Sequence, residues 1–160
     1  MPLNSKQLLK YGLKRELRFL YAVQEALNND EIVISKTENE FECVDFDIYH
    51  NTTKRSIFIE LKSRKGDISN YNSFFIDQQK LLKISVKYTG IPVILVWTDE
   101  KQNLFYTLYD DSLLDSEQGV LFGNKTLSIK KDLCHYATIK ELADNITSIL
   151  SNREGGDSPK

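Results

Sequence analysis

Residues 43–64 constrain the fold of this chain more than any other stretch. They read CVDFDIYHNTTKRSIFIELKSR, two segments of alternating polarity joined by a short polar loop, which is typical of a β-hairpin. Because the side chains of a strand alternate between its faces, one face of this hairpin is apolar. The other face carries Asp45 and Asp47 on the first strand, and Glu60 and Lys62 on the second. Charges at such positions are costly in a core, so they indicate a functional site.

The register of this hairpin decides which aspartate faces Glu60. A two-residue turn at positions 53–54 would place Asp47 opposite Glu60, whereas a turn one residue earlier would place Asp45 there. The residues of the loop are compatible with either turn. Both registers therefore stay open at this point.

The composition is that of an ordinary globular protein, with 41% hydrophobic and 28% charged residues in a chain of 160. This length suits one domain with a core of its own. We expect that domain to span residues 1–151 and to be followed by a disordered tail at 152–160. The net charge of −2 argues against a protein that coats nucleic acid through bulk charge. It is compatible with a local basic surface, because clustered acids elsewhere offset the lysines.

Cysteine usage and hydropathy bear on the compartment. Cys43 and Cys134, the only cysteines in the sequence, lie far apart and in no metal-like spacing, so we expect two reduced thiols. No apolar run in the sequence reaches the length of a membrane span, and the first residues lack a signal-peptide pattern. These features predict an intracellular protein, in the cytoplasm or, for a viral protein, in the host cytoplasm, with no membrane partner.

Hydrophobic periodicity predicts how helices and strands follow one another. In chain order we expect a helix at 5–27, a strand at 31–35, the hairpin at 41–63, a helix at 73–88, strands at 91–97 and 103–109, a small hairpin at 120–129 that turns on Gly123 and Asn124, and a helix at 138–150 opened by a capping box of Thr138 and Glu141. The order α-β-β-β-α-β-β, followed by a hairpin and a helix, predicts an α/β fold. Its central sheet is mixed and is flanked by helices.

Glu16 interrupts the apolar stripe of the first helix. At 100° per residue, the leucines and valine of this helix fall on one side, and Glu16 lies in the middle of that side. A carboxylate centred on a core-facing surface is costly unless a metal, a cation or water meets it. The alternative is that Glu16 lies at the edge of the core and reaches solvent. Position alone leaves both interpretations open.

Cations cluster around the acidic hairpin. A phosphate backbone lying on this face would meet them, although an exposed lysine stripe is usually no more than a solvated helix face. The candidates for DNA contact are Lys54 and Arg55 at the hairpin tip, Arg64 and Lys65 after its second strand, and Lys80, Lys83 and Lys87 along the second helix.

An Asp on one strand and a Glu-x-Lys on the next, within this order of elements, resembles the PD-(D/E)XK nuclease superfamily. Within it the chain is most similar to the archaeal-type Holliday junction resolvases. They share a glycine four residues before a helix glutamate, here Gly12 and Glu16, and an Asp-Ile step thirteen residues before the Glu of an Ile-Glu-x-Lys run, here Asp47 and Glu60. They also share a glycine that leads into an apolar strand, here Gly90. The resemblance covers the chain from about residue 10 to residue 98.

This resemblance implies a restriction-endonuclease-like fold and a Mg²⁺-dependent DNA endonuclease, in which Mn²⁺ would substitute. It favours Asp47 over Asp45 as the main metal ligand. It implies a catalytic set of Asp47, Glu60, Lys62 and Glu16, with Mg²⁺ held by Asp47, Glu60, Glu16 and the backbone carbonyl of Leu61. Lys62 would stay charged among the carboxylates, orient the attacking water and stabilise developing negative charge. Supporting roles behind these ligands would fall to Asp45, Gln78 and Gln79.

The implied substrate is DNA, branched or double-stranded, and the implied assembly is a homodimer, because two strands have to be cut symmetrically. One alternative is another nuclease of the same fold, of the restriction, repair or phage recombination type. A second is a non-catalytic module that binds nucleic acid on this fold. The intact Asp, Glu and Lys argue against the second alternative, since a binding module has no need of all three.

Overall fold

The computed structural model describes residues 5–37 and 44–151, with side chains from residue 14 onward. Cys43 and the tail at 152–160 lie outside the described residues. In chain order the elements are α1 (Ser5–Leu27), β1 (Ile32–Lys36), β2 (Phe46–His50), β3 (Ser56–Ser63), β4 (Ser73–Asp77), α2 (Gln78–Lys87), β5 (Val93–Thr98), β6 (Leu104–Leu108), β7 (Glu117–Leu121), β8 (Asn124–Lys130), β9 (His135–Tyr136) and α3 (Ile139–Ser151).

Two sheets form the frame of the molecule. The larger has six strands in the order β1-β2-β3-β5-β6-β9, and the smaller has three in the order β4-β8-β7. Strands β3 and β5 pair in parallel, whereas the other neighbours in both sheets are antiparallel. This confirms the predicted fold class, a mixed central sheet flanked by helices.

Each face of the six-stranded sheet has its own core. On one face, α1 and α3 pack on Phe46, Ile48, Ile57 and Ile59. On the other face, α2 and the three-stranded sheet pack on alternate residues of β5, from Val93 onward. The run Val93–Trp97 is buried throughout, as expected of a strand covered on both sides. Glu60 and Lys62 point to the α2 side by strand alternation, since Ile59 and Leu61 belong to the α1 side.

The second helix begins later than its sequence predicts. Its first five residues form β4 instead, where Phe74 and Ile76 are buried and Phe75 is exposed, a strand alternation. Strand β8 pairs along β4, and Trp97 Nε1 on β5 donates a hydrogen bond of 3.2 Å to the carbonyl of Phe75. Asp77 then caps α2 by accepting a 2.8 Å hydrogen bond from the amide of Gln79.

Two predictions about local structure have opposite outcomes. The capping box of α3 is confirmed: the Thr138 amide donates to Glu141 Oε1 at 3.0 Å, and the Glu141 amide donates to Thr138 Oγ1 at 3.1 Å. The predicted turn at Gly123 and Asn124 is wrong by one residue, because Leu121 pairs with Asn124 and leaves Phe122 and Gly123 as the turn. No helix in the described ranges is long and apolar enough to cross a membrane.

Candidate active site

The β2–β3 hairpin brings Asp45, the residue directly before β2, next to Glu60. Phe46 pairs with Ile59 and Asp47 with Phe58, and the amide of Asp45 donates a 2.8 Å hydrogen bond to the carbonyl of Ile59. Of the two registers that the sequence left open, the structure has the one with the earlier turn, and Asp47 does not stand opposite Glu60.

The turn explains this register. It is centred on residues 52–53, because the His50 amide donates to the carbonyl of Arg55 and the Lys54 amide donates to the carbonyl of His50, each at 2.9 Å. Lys54 adopts a left-handed backbone with φ of 63° and closes the loop before β3 begins. The turn thus lies one residue earlier than the register with Asp47 requires.

Glu60 is the most deeply buried charged side chain among the described residues, with 1% of its surface exposed. It lies on β3, between β2 and β5. Its Oε2 atom contacts two ammonium groups, Lys80 Nζ at 2.7 Å and Lys62 Nζ at 3.1 Å. Its Oε1 atom is buried and has no hydrogen-bond partner. A buried carboxylate needs such compensation, and here one of its two oxygens still lacks a partner.

Asp45 completes a pair of carboxylates with Glu60. Its Oδ2 atom accepts a 2.7 Å hydrogen bond from the amide of Leu61, which fixes the carboxylate against β3. Burial, followed by the charge and the hydrogen bond of Glu60, raises the pKa of Asp45 to about 7. Two adjacent carboxylates in one partly buried site resist being ionised together.

The two lysines respond differently to this environment. The pKa of Lys62 is lowered, chiefly by burial. The charge of Glu60 acts in the opposite direction, and the charge of Lys80 lowers the pKa further. Burial also lowers the pKa of Lys80, but Glu60 outweighs it and the net direction is upward. That Lys62 stays charged among the carboxylates remains a prediction.

Lys80 was predicted to contact the DNA backbone from an exposed helix edge, and the structure instead places it inside the site. Because α2 begins at Gln78, Lys80 lies four residues before the buried Ile84, on the side of the helix that faces the sheet. That spacing is present in the sequence. The predicted helix start at residue 73 hid the fact that Lys80 lies in the first turn, next to the acidic strands.

Asp47 lies beside the cluster, whereas Glu16 lies on the other side of the sheet. Asp47 stands two residues along β2, about 7 Å from Asp45, with burial raising its pKa and its Oδ1 atom buried without a partner. Glu16 pairs with Lys36 Nζ at 2.5 Å. Lys36 shares the α1 side of the sheet with the buried Ile34, whereas Glu60 faces the α2 side. The structure thus gathers Asp45, Glu60, Lys62 and Lys80, with Asp47 next to them on the same face. The predicted convergence of Glu16 with them is wrong.

The remaining predicted cations are spread along the molecule. Lys54 and Arg55 lie at the hairpin tip, about 20 Å along β3 from Glu60. The tip packs against the end of α3, where Thr53 Oγ1 donates to the Leu150 carbonyl at 3.1 Å. Arg64 and Lys65 directly follow β3 and so lie next to the site. Four other predicted residues lie along α2, where Gln78 is half-buried and Gln79, Lys83 and Lys87 are exposed.

The donors present fit a hard divalent cation. Among the residues that the structure describes, no group of three or more His, Cys, Asp or Glu side chains forms a metal cage. Mg²⁺ does not need one, because it is usually held by one or two carboxylates together with water and substrate phosphates. Asp45 and Glu60 supply that number, and the unpartnered Oε1 atom of Glu60 is a vacant hard oxygen donor. The Leu61 carbonyl stays a predicted further ligand.

Comparisons with known proteins place the chain in a family. A family described as "Phage putative PDDEXK endonuclease" matches residues 14–119, about two thirds of the chain. No curated protein matches the sequence. Among solved structures, Hjc of the archaeal hyperthermophile Archaeoglobus fulgidus, a Holliday junction resolvase, is similar with a TM-score of 0.44 and 14% identity, over 79% of this chain and 97% of that one. The family match spans the cluster of Asp45, Glu60, Lys62 and Lys80.

Proposed function

Because the chain belongs to the phage PDDEXK endonuclease family, we propose that it hydrolyses phosphodiester bonds of DNA with the help of Mg²⁺. The observation that carries this proposal is the buried Glu60, which two lysines contact on one oxygen while its other oxygen has no partner. A structural ion pair would satisfy both oxygens of such a carboxylate. An unpartnered oxygen beside a second carboxylate suits a group that binds cation and substrate.

Each member of the cluster has a role in this proposal. Asp45 and Glu60 would hold the cation, and the Leu61 amide would keep Asp45 in place. When bound, Mg²⁺ or Mn²⁺ supplies Lewis-acid activation of the phosphate and of a water molecule. Lys62, whose pKa burial lowers, would donate hydrogen bonds to the attacking water and to the phosphate oxygens as negative charge develops. Arg64 and Lys65 would contact the neighbouring phosphates.

The shape of the DNA substrate is a separate matter. The similarity to junction resolvases depended most on Glu16 as a ligand, and Glu16 instead pairs with Lys36. The geometry therefore supports phosphodiester hydrolysis without favouring a DNA shape. Four-way junctions and duplex DNA are both candidate substrates. Restriction, repair and phage recombination are the other settings for such a nuclease.

A substrate panel tests the proposal. Purified protein is incubated with supercoiled plasmid, linear duplex and a synthetic four-way junction, in Mg²⁺, Mn²⁺ or EDTA. We expect cleavage of at least one substrate that depends on the cation. Lys62→Met should slow it by about 100-fold or more, the loss typical of one electrostatic donor at a reacting centre.

The matched control for this panel is Lys140→Met, which removes a lysine that forms an exposed ion pair on α3. It should cut at the wild-type rate. Cleavage that persists in EDTA would contradict the proposal. DNA binding without cleavage under any of these conditions would indicate the non-catalytic module instead.

A further inference from the structure

Lys80 makes the shortest contact to the buried carboxylate of Glu60. Its Nζ lies 2.7 Å from Oε2, compared with 3.1 Å for Lys62 on the same atom. The Lys80 side chain is 28% exposed, whereas that of Glu60 is 1% exposed. One end of the Lys80 side chain therefore lies in the site while part of it borders solvent.

Lys80 is one of two ammonium groups that share the same oxygen of Glu60. Asp45 and Glu60 supply two carboxylates, and Lys62 and Lys80 supply two ammonium groups around them. A divalent cation held by the same carboxylates would bring two further positive charges within a few ångströms of Nζ. Repulsion between an ammonium and a cation at such a distance in a partly buried site is strong. Lys80 and a divalent cation are therefore competitors for Glu60.

Lys80 is the lysine better placed to give way. Lys62 lies near the end of β3, where its backbone pairs with Trp97 of β5, and its side chain is 22% exposed. Lys80 lies in the first turn of α2, and a lysine side chain has four rotatable bonds along which its ammonium moves. Its partial exposure offers a path away from Oε2.

We propose that Lys80 is a built-in counter-cation of the site, which neutralises Glu60 in the metal-free protein and is displaced from Oε2 when a divalent cation binds. This inference rests on the proposed function, since it takes Glu60 as a cation ligand. It makes Lys80 a positioning residue that sets the cation affinity of the site. It also gives a reason for the Lys80 contact that a DNA-binding role on an exposed helix edge does not.

Cation binding tests this proposal without any DNA. Ca²⁺ or Mn²⁺ is titrated calorimetrically into the wild-type protein and into Lys80→Met, which removes the ammonium and keeps most of the apolar stem. We expect the variant to bind the cation about tenfold tighter or more, because the competing charge is gone. Lys80→Gln, which also lacks the charge but can still donate a hydrogen bond to Glu60, should show the same gain and guards against misfolding of the first variant.

The matched control is Lys83→Met, one turn along α2 and exposed, which removes the same charge from the surface. It should change the affinity by less than about twofold, because a solvent-exposed charge is screened. Equal or weaker cation binding in both Lys80 variants would overturn the proposal. So would an equal gain in Lys83→Met, or the absence of binding in every variant.

These outcomes separate the inference from the proposed function. If the wild-type protein cuts DNA and the Lys80 variants bind cations no more tightly, the counter-cation role is wrong and the nuclease remains. If the Lys80 variants bind cations more tightly and no DNA is cut, the counter-cation role stands and the proposed nuclease activity is wrong.

Discussion

Asp45 is the single residue whose protonation most strongly links the site to the stability of the fold. Its pKa is about 7 in the folded protein and ordinarily near 3.8, so between these values the folded state binds the proton more tightly than the unfolded state. Its contribution to stability is therefore present at low pH and is lost as the pH rises towards 7. A group near a like charge in a partly buried site behaves in this way, and a bound cation would remove the penalty.

This sign leads to a prediction for the metal-free protein. Asp45→Asn removes the ionisation and keeps the shape of the side chain. We therefore expect the thermal midpoint of the variant minus that of wild type to be more positive at pH 7.5 than at pH 5. Thermal unfolding in EDTA at both pH values measures this difference. As a control, Asp144→Asn, an exposed residue paired with Lys140, should shift the midpoint relative to wild type by similar small amounts at both values. A difference between Asp45→Asn and wild type that stays constant with pH would contradict the assignment.

At the level of single residues, strand alternation was enough to predict which face carries Asp45, Glu60 and Lys62. The choice between Asp45 and Asp47 depended on a loop that closes through the left-handed backbone of Lys54. The pattern of apolar and polar residues along the sequence does not predict such a turn. The sequence therefore left the choice between Asp45 and Asp47 open, since a shift of one residue in the turn moves every cross-strand pair.

Among the elements, the β7–β8 hairpin carries an unusual turn. Phe122 and Gly123 form its two-residue loop, both with positive φ, at 51° and 82°. Glycine and asparagine are favoured at such positions, whereas a phenylalanine there is strained. The Phe122 side chain is 94% exposed, so packing does not compensate for the strain.

Replacing Phe122 should therefore stabilise the fold. Phe122→Asn should raise the free energy of unfolding by about 0.5–1 kcal/mol, the usual scale for relieving a left-handed position. Urea denaturation measures the change. Phe122→Ala is the matched control, because it removes the ring and keeps a residue that disfavours positive φ. If the alanine variant were as stable as the asparagine variant, backbone strain would not be the cause.

The helices and the strands of the six-stranded sheet were mostly predictable from periodicity and caps, as the α3 capping box shows. The segment Ser73–Asp77 was not, because its apolar residues continue smoothly into those of α2 and suit either period. What makes it a strand is tertiary pairing with β8, some fifty residues later in the chain. The misplaced start of α2 is also why the position of Lys80 in the site was missed.

For the molecule as a whole, the site lies between two layers. The six-stranded sheet supplies Asp45, Glu60 and Lys62, and α2, packed on that sheet beside the smaller one, supplies Lys80. The site is therefore built from the β2–β3 hairpin and from α2. This helix belongs to the connection between the parallel strands β3 and β5 and packs on the same face of the sheet. Arg64 and Lys65 directly follow β3 and so lie next to this site.

Cutting both strands of a DNA symmetrically requires two such sites, so we expect a homodimer. Light scattering coupled to size exclusion should give twice the 18.5 kDa of the chain at concentrations that cut plasmid. A monomeric mass at those concentrations, with both strands of the DNA cut, would contradict the dimer and leave the chemistry of the site untouched.

We propose that Asp45 and Glu60, and not Asp47 or Glu16, form the catalytic centre. Single-turnover cleavage of the best substrate from the panel, in Mg²⁺ with excess protein, tests it through four variants with matched changes: Asp45→Asn, Glu60→Gln, Asp47→Asn and Glu16→Gln. We predict that the first two reduce the rate by about 100-fold or more, and that the last two stay within about tenfold of wild type. A wild-type rate in Glu60→Gln, or a greater loss in Asp47→Asn than in Asp45→Asn, would contradict the account.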